Sequence, residues 1–241
     1  MKIEIKNRFT REIILSGDDD SARSFLRARV RPGRDMSGAD LPGVNLVGLT
    51  LSKTDFSGAN LSGANLTRVD LTESELGGSN LTRALLIGAA LTRSDLTDSN
   101  LTGADLTSAQ LDGACLINAD LYWASLIAAN LNGADLSQTN LAKSNLTLAT
   151  LIEADLFWAD LAGANLVMAN LTRATLTVAN LSKACLVMAD LSGATLAGSD
   201  LSGADLTDSN LSDADLKDAN LRGTNLTGAI LSGVDLSRVK R

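Results

Sequence analysis

Ala59-Asn60-Leu61-Ser62-Gly63-Ala64-Asn65-Leu66-Thr67-Arg68 is one five-residue pattern written twice, and the same pattern runs through most of the chain. From Leu41 to Leu236 every fifth residue is leucine, with Phe56 the single exception. That is forty positions without an insertion or a slip. A period of five fits neither a helix at 3.6 nor a flat strand at 2. With the leucine called i, position i−2 is small or β-branched throughout except at Leu49; Ala59, Ala64, Ala104, Ala109, Ala114 and Ala119 are typical. Position i−1 is mostly Asp or Asn, i+1 favours Ser or Thr, and i+2 is often Gly or charged. One large and one small inward residue per five describe a chain that turns a corner in every pentad.

Stretches such as Ala59-Asn60-Leu61-Ser62-Gly63 and Ala204-Asp205-Leu206-Thr207-Asp208 resemble the A-(D/N)-L-x-x signature of the pentapeptide repeat family. The resemblance covers residues 34–241. It implies an all-β solenoid, a right-handed quadrilateral β-helix with i and i−2 inside and the other three positions outside. Four pentads per coil would then give about ten four-sided coils from the forty pentads. At strand spacing the body would be roughly 48 Å long.

The first 33 residues read differently and form a separate unit, 1–33, before the repeats of 34–241. Lys2 to Ile5 alternates polar and apolar, and Ile13, Ile14 and Leu15 follow Glu12, so Asn7 to Arg11 reads as the turn of a β-hairpin. Asp18, Asp19 and Asp20 precede a short helix from Ser21 to Val30, with Ala22, Phe25 and Leu26 on its apolar face and Arg27, Arg29 and Arg31 at its end. That charge order suits the helix dipole, and Pro32-Gly33 stops the helix. Such a helix beside a solenoid is expected to cap its first open edge.

The apolar content is 45% but aromatics are only 3%, so the core is narrow and built of Leu and Ala. No segment approaches the ~20 uninterrupted apolar residues of a membrane span, and the first residues lack the apolar core of a signal peptide. A cytoplasmic location without membrane attachment is the expectation. Net charge is −7, divided unevenly: residues 1–36 hold nine Lys/Arg and six acids, the remainder twelve and 22.

Catalysis finds no foothold. The chain has no histidine, which removes the commonest general base and the zinc sites that need one. Cys115 and Cys185 both occupy i−1 and are seventy residues apart, three and a half coils, which puts them on opposite faces. Aspartates recur with the repeat, and their expected work is to satisfy turn backbone groups. No enzyme, metal or cofactor is expected.

Departures from the repeat, sorted by coil, carry what remains. The face of Phe56 has Asp55, Glu75, Asp95, Asp135, Asp155, Asp215 and Asp235 at i−1, an acidic stripe. The face of Leu46 has outward apolar residues instead, including Ile127, Leu148, Val167, Met168, Val187 and Met188, with Trp123 at the corner leading into it. Phe157 and Trp158 cluster beside the acids. An apolar surplus of this kind marks an interaction site; the competing reading is that β-branched residues at i+1 suit a strand-like wall. The last coil, Leu221, Leu226, Leu231 and Leu236, is expected to associate end to end with a second copy.

The function these features favour is a rigid scaffold that presents its stripes to an unidentified protein partner. The alternative is a DNA mimic, since the resemblance implies members that imitate duplex DNA and act on DNA gyrase. Ten net charges on the repeat body over roughly 48 Å is about a third of the charge density of duplex DNA. Direct nucleic-acid binding by the basic leader is disfavoured, because helix-dipole complementarity accounts for several of its arginines.

Overall fold

The computed structural model describes residues 2–241, with only the backbone described at Ala22, so its place on the helix's apolar face lies outside the described residues. The molecule is a β-helix solenoid. Its rungs are parallel bridges between i−1 residues twenty apart: Asp35 to Asp55, Asp40 to Asn60, Asn45 to Asn65 and Thr50 to Asp70 open four such ladders. A turn follows every bridge, so each circuit has four sides.

One pentad shows why five residues close a side. Asp135 donates its N–H to Ala114 O below at 3.0 Å, while Leu136 and Gln138 donate to Asp155 O and Phe157 O above, at 2.6 and 2.8 Å. Thr139 closes the turn onto Leu136 O at 3.2 Å. The fifth N–H, of Ser137, goes to the Asp135 side chain at 2.9 Å. Every backbone donor of this pentad has a partner, and the last is met by the Asp side chain at i−1. The i+2 residue has positive φ, from Gly63 at 63° to Trp158 at 58°, the pattern of a type II turn, where glycine is favoured.

Leucines such as Leu126, Leu146 and Leu166 are wholly buried in the axis, with alanines filling the narrower positions. Phe56 takes a leucine slot and Met36 the first one. Several hydroxyls at i−2 bond to the turn carbonyl three residues back, as Ser99 Oγ does to Leu96 O at 2.6 Å.

The leader is a hairpin of β1 (Lys2–Lys6) and β2 (Ile13–Asp18), antiparallel with Ile5 opposite Leu15. The second strand runs on to Asp18, three residues beyond the expected end at Leu15, so Asp18 belongs to the sheet. Asn7 Oδ1 accepts from Phe9 and Thr10 N–H and holds the turn. Helix α1 (Ala22–Arg29) is capped by Ser21, whose Oγ accepts from Ser24 N–H at 3.2 Å. Its last turn carries Arg27 and Arg29 as the dipole argument expects, but its first turn has no acid. The Asp19 carboxylate instead accepts from Ser24 Oγ and meets Arg29 at 3.6 Å. Ile3, Ile5, Leu15, Phe25, Leu26 and Val30 share one core with Met36 and Leu41. Asp40 N–H donates to Lys6 O at 2.9 Å and Arg8 N–H to Gly38 O at 2.7 Å, tying the hairpin to the first coil.

Candidate functional site

The turns place i+1 and i+2 side chains on the four corners of the solenoid. Most i+2 corners carry glycine, a charge or a small polar group. Trp123, Leu148, Trp158, Met168, Val178 and Met188 do not, and all have φ between 57° and 60°. In that region a Cβ crowds the following carbonyl, costing roughly 1–2 kcal/mol per residue. These same side chains are exposed, Trp123 at 70%, Trp158 at 63% and Met188 at 56%. They are therefore unfavourable twice over in the isolated chain.

Leu148, Met168 and Met188 are twenty apart and stack in successive coils as a ridge on one corner. Val167 and Val187, the i+1 neighbours of Met168 and Met188, are half-buried, as is Ile127 one coil below the ridge. Those three were expected to point outward on a wall; they sit in turns, flanking the ridge. Because i+1 is a turn residue, the strand-wall explanation for these apolar residues falls away. Phe157, Trp158 and Val178 form a second apolar cluster on the diagonally opposite corner. Trp123 stands on a third corner, beside Tyr122, whose ring lies 5.7 Å from Lys143 Nζ.

The acidic stripe follows one ladder. Asp55, Asp95, Asp135, Asp155, Asp215 and Asp235 each accept the i+1 N–H of their own turn, at 2.8–2.9 Å. Glu75 shares the column. Among the described residues none of the seven makes a salt bridge, while Glu73, Glu153 and Asp218 on other columns do. The Asp235 carboxyl is held below its ordinary value by the Ser237 amide and hydroxyl.

At the last coil Leu226, Leu231 and Leu236 are half-buried, but Leu221 is buried. Lys240 covers it, bridging to Asn220 and accepting from Leu221 N–H at 2.7 Å. Leu221 is thus withdrawn from the expected end surface. Arg238 pairs with Asp218 of its own chain at 3.0 Å.

Cys115 and Cys185 are free, in ladders on opposite faces. No group of three metal-ligating side chains occurs among the described residues, and no described helix is long and apolar enough to cross a membrane. A polar cavity lined by Arg23, Arg27 and Arg31 lies where α1 meets the first coil. The sequence reading missed it, since the helix spacing of those arginines was absorbed into the dipole argument.

The family model for pentapeptide repeats matches in eight overlapping copies between residues 35 and 240. Among solved structures, HetL from the cyanobacterium Nostoc sp. strain PCC 7120, a pentapeptide repeat protein involved in heterocyst differentiation regulation, is 35% identical. That match covers 82% of this chain and 89% of HetL, with a TM-score of 0.43. QnrB1, a plasmid-mediated fluoroquinolone resistance protein, is 19% identical over 82% of this chain and 94% of its own, with a TM-score of 0.48. Rfr23, from the cyanobacterium Cyanothece 51142, is 20% identical over 83% and 90%, with a TM-score of 0.18. No curated protein matches the chain.

Proposed function

The chain belongs to the pentapeptide repeat family, and on that premise we propose that it is a non-enzymatic scaffold that binds a protein partner. In this reading residues 34–241 form a right-handed quadrilateral β-helix of about ten coils, closed at the first coil by the hairpin and helix of residues 1–33. The observation that carries it is the set of bulky apolar side chains held at positive φ on exposed corners. Glycine would relieve both costs, so a bound partner is what these residues serve. Two unpaired cysteines on opposite faces suit the cytoplasm as its compartment.

The test is a capture experiment with the intact chain, repeated with Trp123→Ala, Met168→Asp and Trp158→Ala. A specific partner retained by wild type and lost with these variants supports the reading. Retention by all three overturns it.

The unpaired acidic stripe favours a second reading, mimicry of duplex DNA toward a DNA-binding enzyme such as gyrase. It predicts inhibition or protection in a supercoiling assay, abolished by Asp135→Asn, Asp155→Asn and Asp215→Asn together. The half-buried Leu226, Leu231 and Leu236 support a two-fold contact between last coils. Sedimentation at tens of micromolar should then give a dimer that Leu231→Asp dissociates; a monomeric wild type removes it.

A further inference from the structure

We propose that the leader end of the rod carries a phosphate-binding site, formed by Arg23, Arg27, Arg31 and the backbone N–H of Thr50. Within each ladder the i−1 N–H donates to the coil below, as Asp70 does to Leu49 O at 2.8 Å. Below Thr50 there is no coil, only α1, and its N–H has no partner among the described residues. The edge carbonyls fare better: Arg23 donates to Val47 O at 2.9 Å and Gly33 N–H to Ser52 O at 3.1 Å. An unmet donor is therefore left facing the helix.

The space between is a cavity of about 330 Å³ lined by the three arginines, Thr50 and apolar or backbone groups, with no acid among them. Arginine spacing of four puts Arg23 and Arg27 on one face of α1, with Arg31 just past its end. Arg29, on another face, takes Asp19. The side chains of Arg27 and Arg31 make no salt bridge or hydrogen bond to any described residue. Asp70, bridged to Thr50 from above, turns its carboxylate to the Thr72 N–H at 3.0 Å. Three guanidinium forks and an amide offer more donors than a carboxylate can use, and match the three terminal oxygens and double charge of a phosphate. The volume, at the low end for ligand sites, suits a free phosphate or a small phosphate ester.

Calorimetric titration of the full chain in chloride buffer, with inorganic phosphate, pyrophosphate and glycerol phosphate, tests this. Saturable binding is expected, weakened at least tenfold in Arg27→Gln/Arg31→Gln, with the melting temperature of the ligand-free protein unchanged. Tighter binding of glycerol phosphate than of inorganic phosphate would name the ester as the source, and the reverse the free ion. Should the double variant fold poorly, Arg27→Lys decides, since it keeps the charge but loses the fork and should still weaken binding. Absence of saturation by all three anions, or unchanged affinity in the variants, overturns the site. Saturation by a short DNA duplex alone overturns it in favour of nucleic acid. A fall in the ligand-free melting temperature of Arg27→Lys with its phosphate affinity unchanged assigns the arginines to closing the coil edge instead.

Discussion

Asn180 donates its side-chain N–H to the carboxylate of Asp160, one coil below it in the same ladder, at 2.9 Å. The relation recurs at Asn140 over Asp120, also at 2.9 Å, and at Asn220 over Asp200, at 2.8 Å. On that face each carboxylate is relieved by an amide above it. On the face of Phe56, Asp155 bridges directly to Asp135 with no amide between them. Both meet the needs of their own turns, which an asparagine meets equally well: Asn165 Oδ1 accepts from Val167 N–H at 3.1 Å. The turn requires an Asx oxygen and is indifferent to charge, so the stacked charges are a surplus that the fold itself does not use.

Replacing Asp155 by Asn should therefore stabilise the chain. The turn bond is kept, a like-charge contact at strand spacing is removed, and the new amide can donate to Asp135. Cross-strand pairs of this kind contribute roughly 0.2–1 kcal/mol, so a rise in melting temperature is expected, larger at low salt. The same change should weaken a partner that reads the stripe. A lower melting temperature for Asp155→Asn would show that the carboxylate has a structural role the geometry does not reveal.

Corner residues offer the same dissociation of stability from binding. Val178 and Met168 have φ of 60° and 57°, and Val178 is β-branched, the worst case for that region. Val178→Gly and Met168→Gly should each gain up to about 1 kcal/mol, after allowance for glycine's freedom in the unfolded chain. Chemical denaturation reads the gain, and partner capture reads the loss. The reverse change, Gly63→Ala at φ 63°, should cost a comparable amount. Destabilisation by both glycine variants would place these side chains in the fold and not in an interface.

Buried hydroxyls divide into two sets. Ser199 Oγ and Ser79 Oγ are buried without a partner, whereas Ser99 Oγ donates to Leu96 O. Alanine is the common residue at this position, so the cavity left is small. Ser199→Ala should stabilise by about 1 kcal/mol because an unsatisfied buried hydroxyl is removed. Ser99→Ala loses a made bond and should be neutral or destabilising. Thermal melts of the pair, compared side by side, check the difference in sign.

The leucine register made the solenoid and its inner positions legible, because i and i−2 are buried by the same turn repeated in every coil before the last. The acidic column was equally readable, since residues twenty apart stack once each turn has five residues. Less was visible where side chains depart from the period. Ile127 and Val187 look outward in a pentad count, yet in the turns they are half-buried. Leu221 counts as part of the last coil, but Lys240 folds over it. The strain at Trp123 and Trp158 was hidden because nothing in the pattern states the sign of φ at i+2. The arginine cavity depends on where α1 docks, which no period describes.

Acid should loosen the upper coils through their carboxylates. The Asp205 carboxyl lies below its ordinary value, first because the Thr207 hydroxyl donates to it at 2.5 Å, then through the Thr207 N–H at 3.0 Å and the Asn225 amide at 3.1 Å. Burial opposes this but does not overcome it. Asp235 is lowered by the Ser237 amide and hydroxyl, with Arg238 adding to the effect. A carboxyl lowered in the folded state contributes stability that is complete above its unfolded value, about 3.9. That contribution is lost as the pH falls through the lower folded value. Melting temperature should hold between neutral pH and about 4.5 and then drop. Amide exchange at residues around Asp205 and Asp235 should accelerate over the same interval. Asp205→Asn keeps the turn acceptor without a titrating proton, so its melting temperature should depend less on pH below 4. An identical acid profile for wild type and Asp205→Asn would remove this carboxylate from the account.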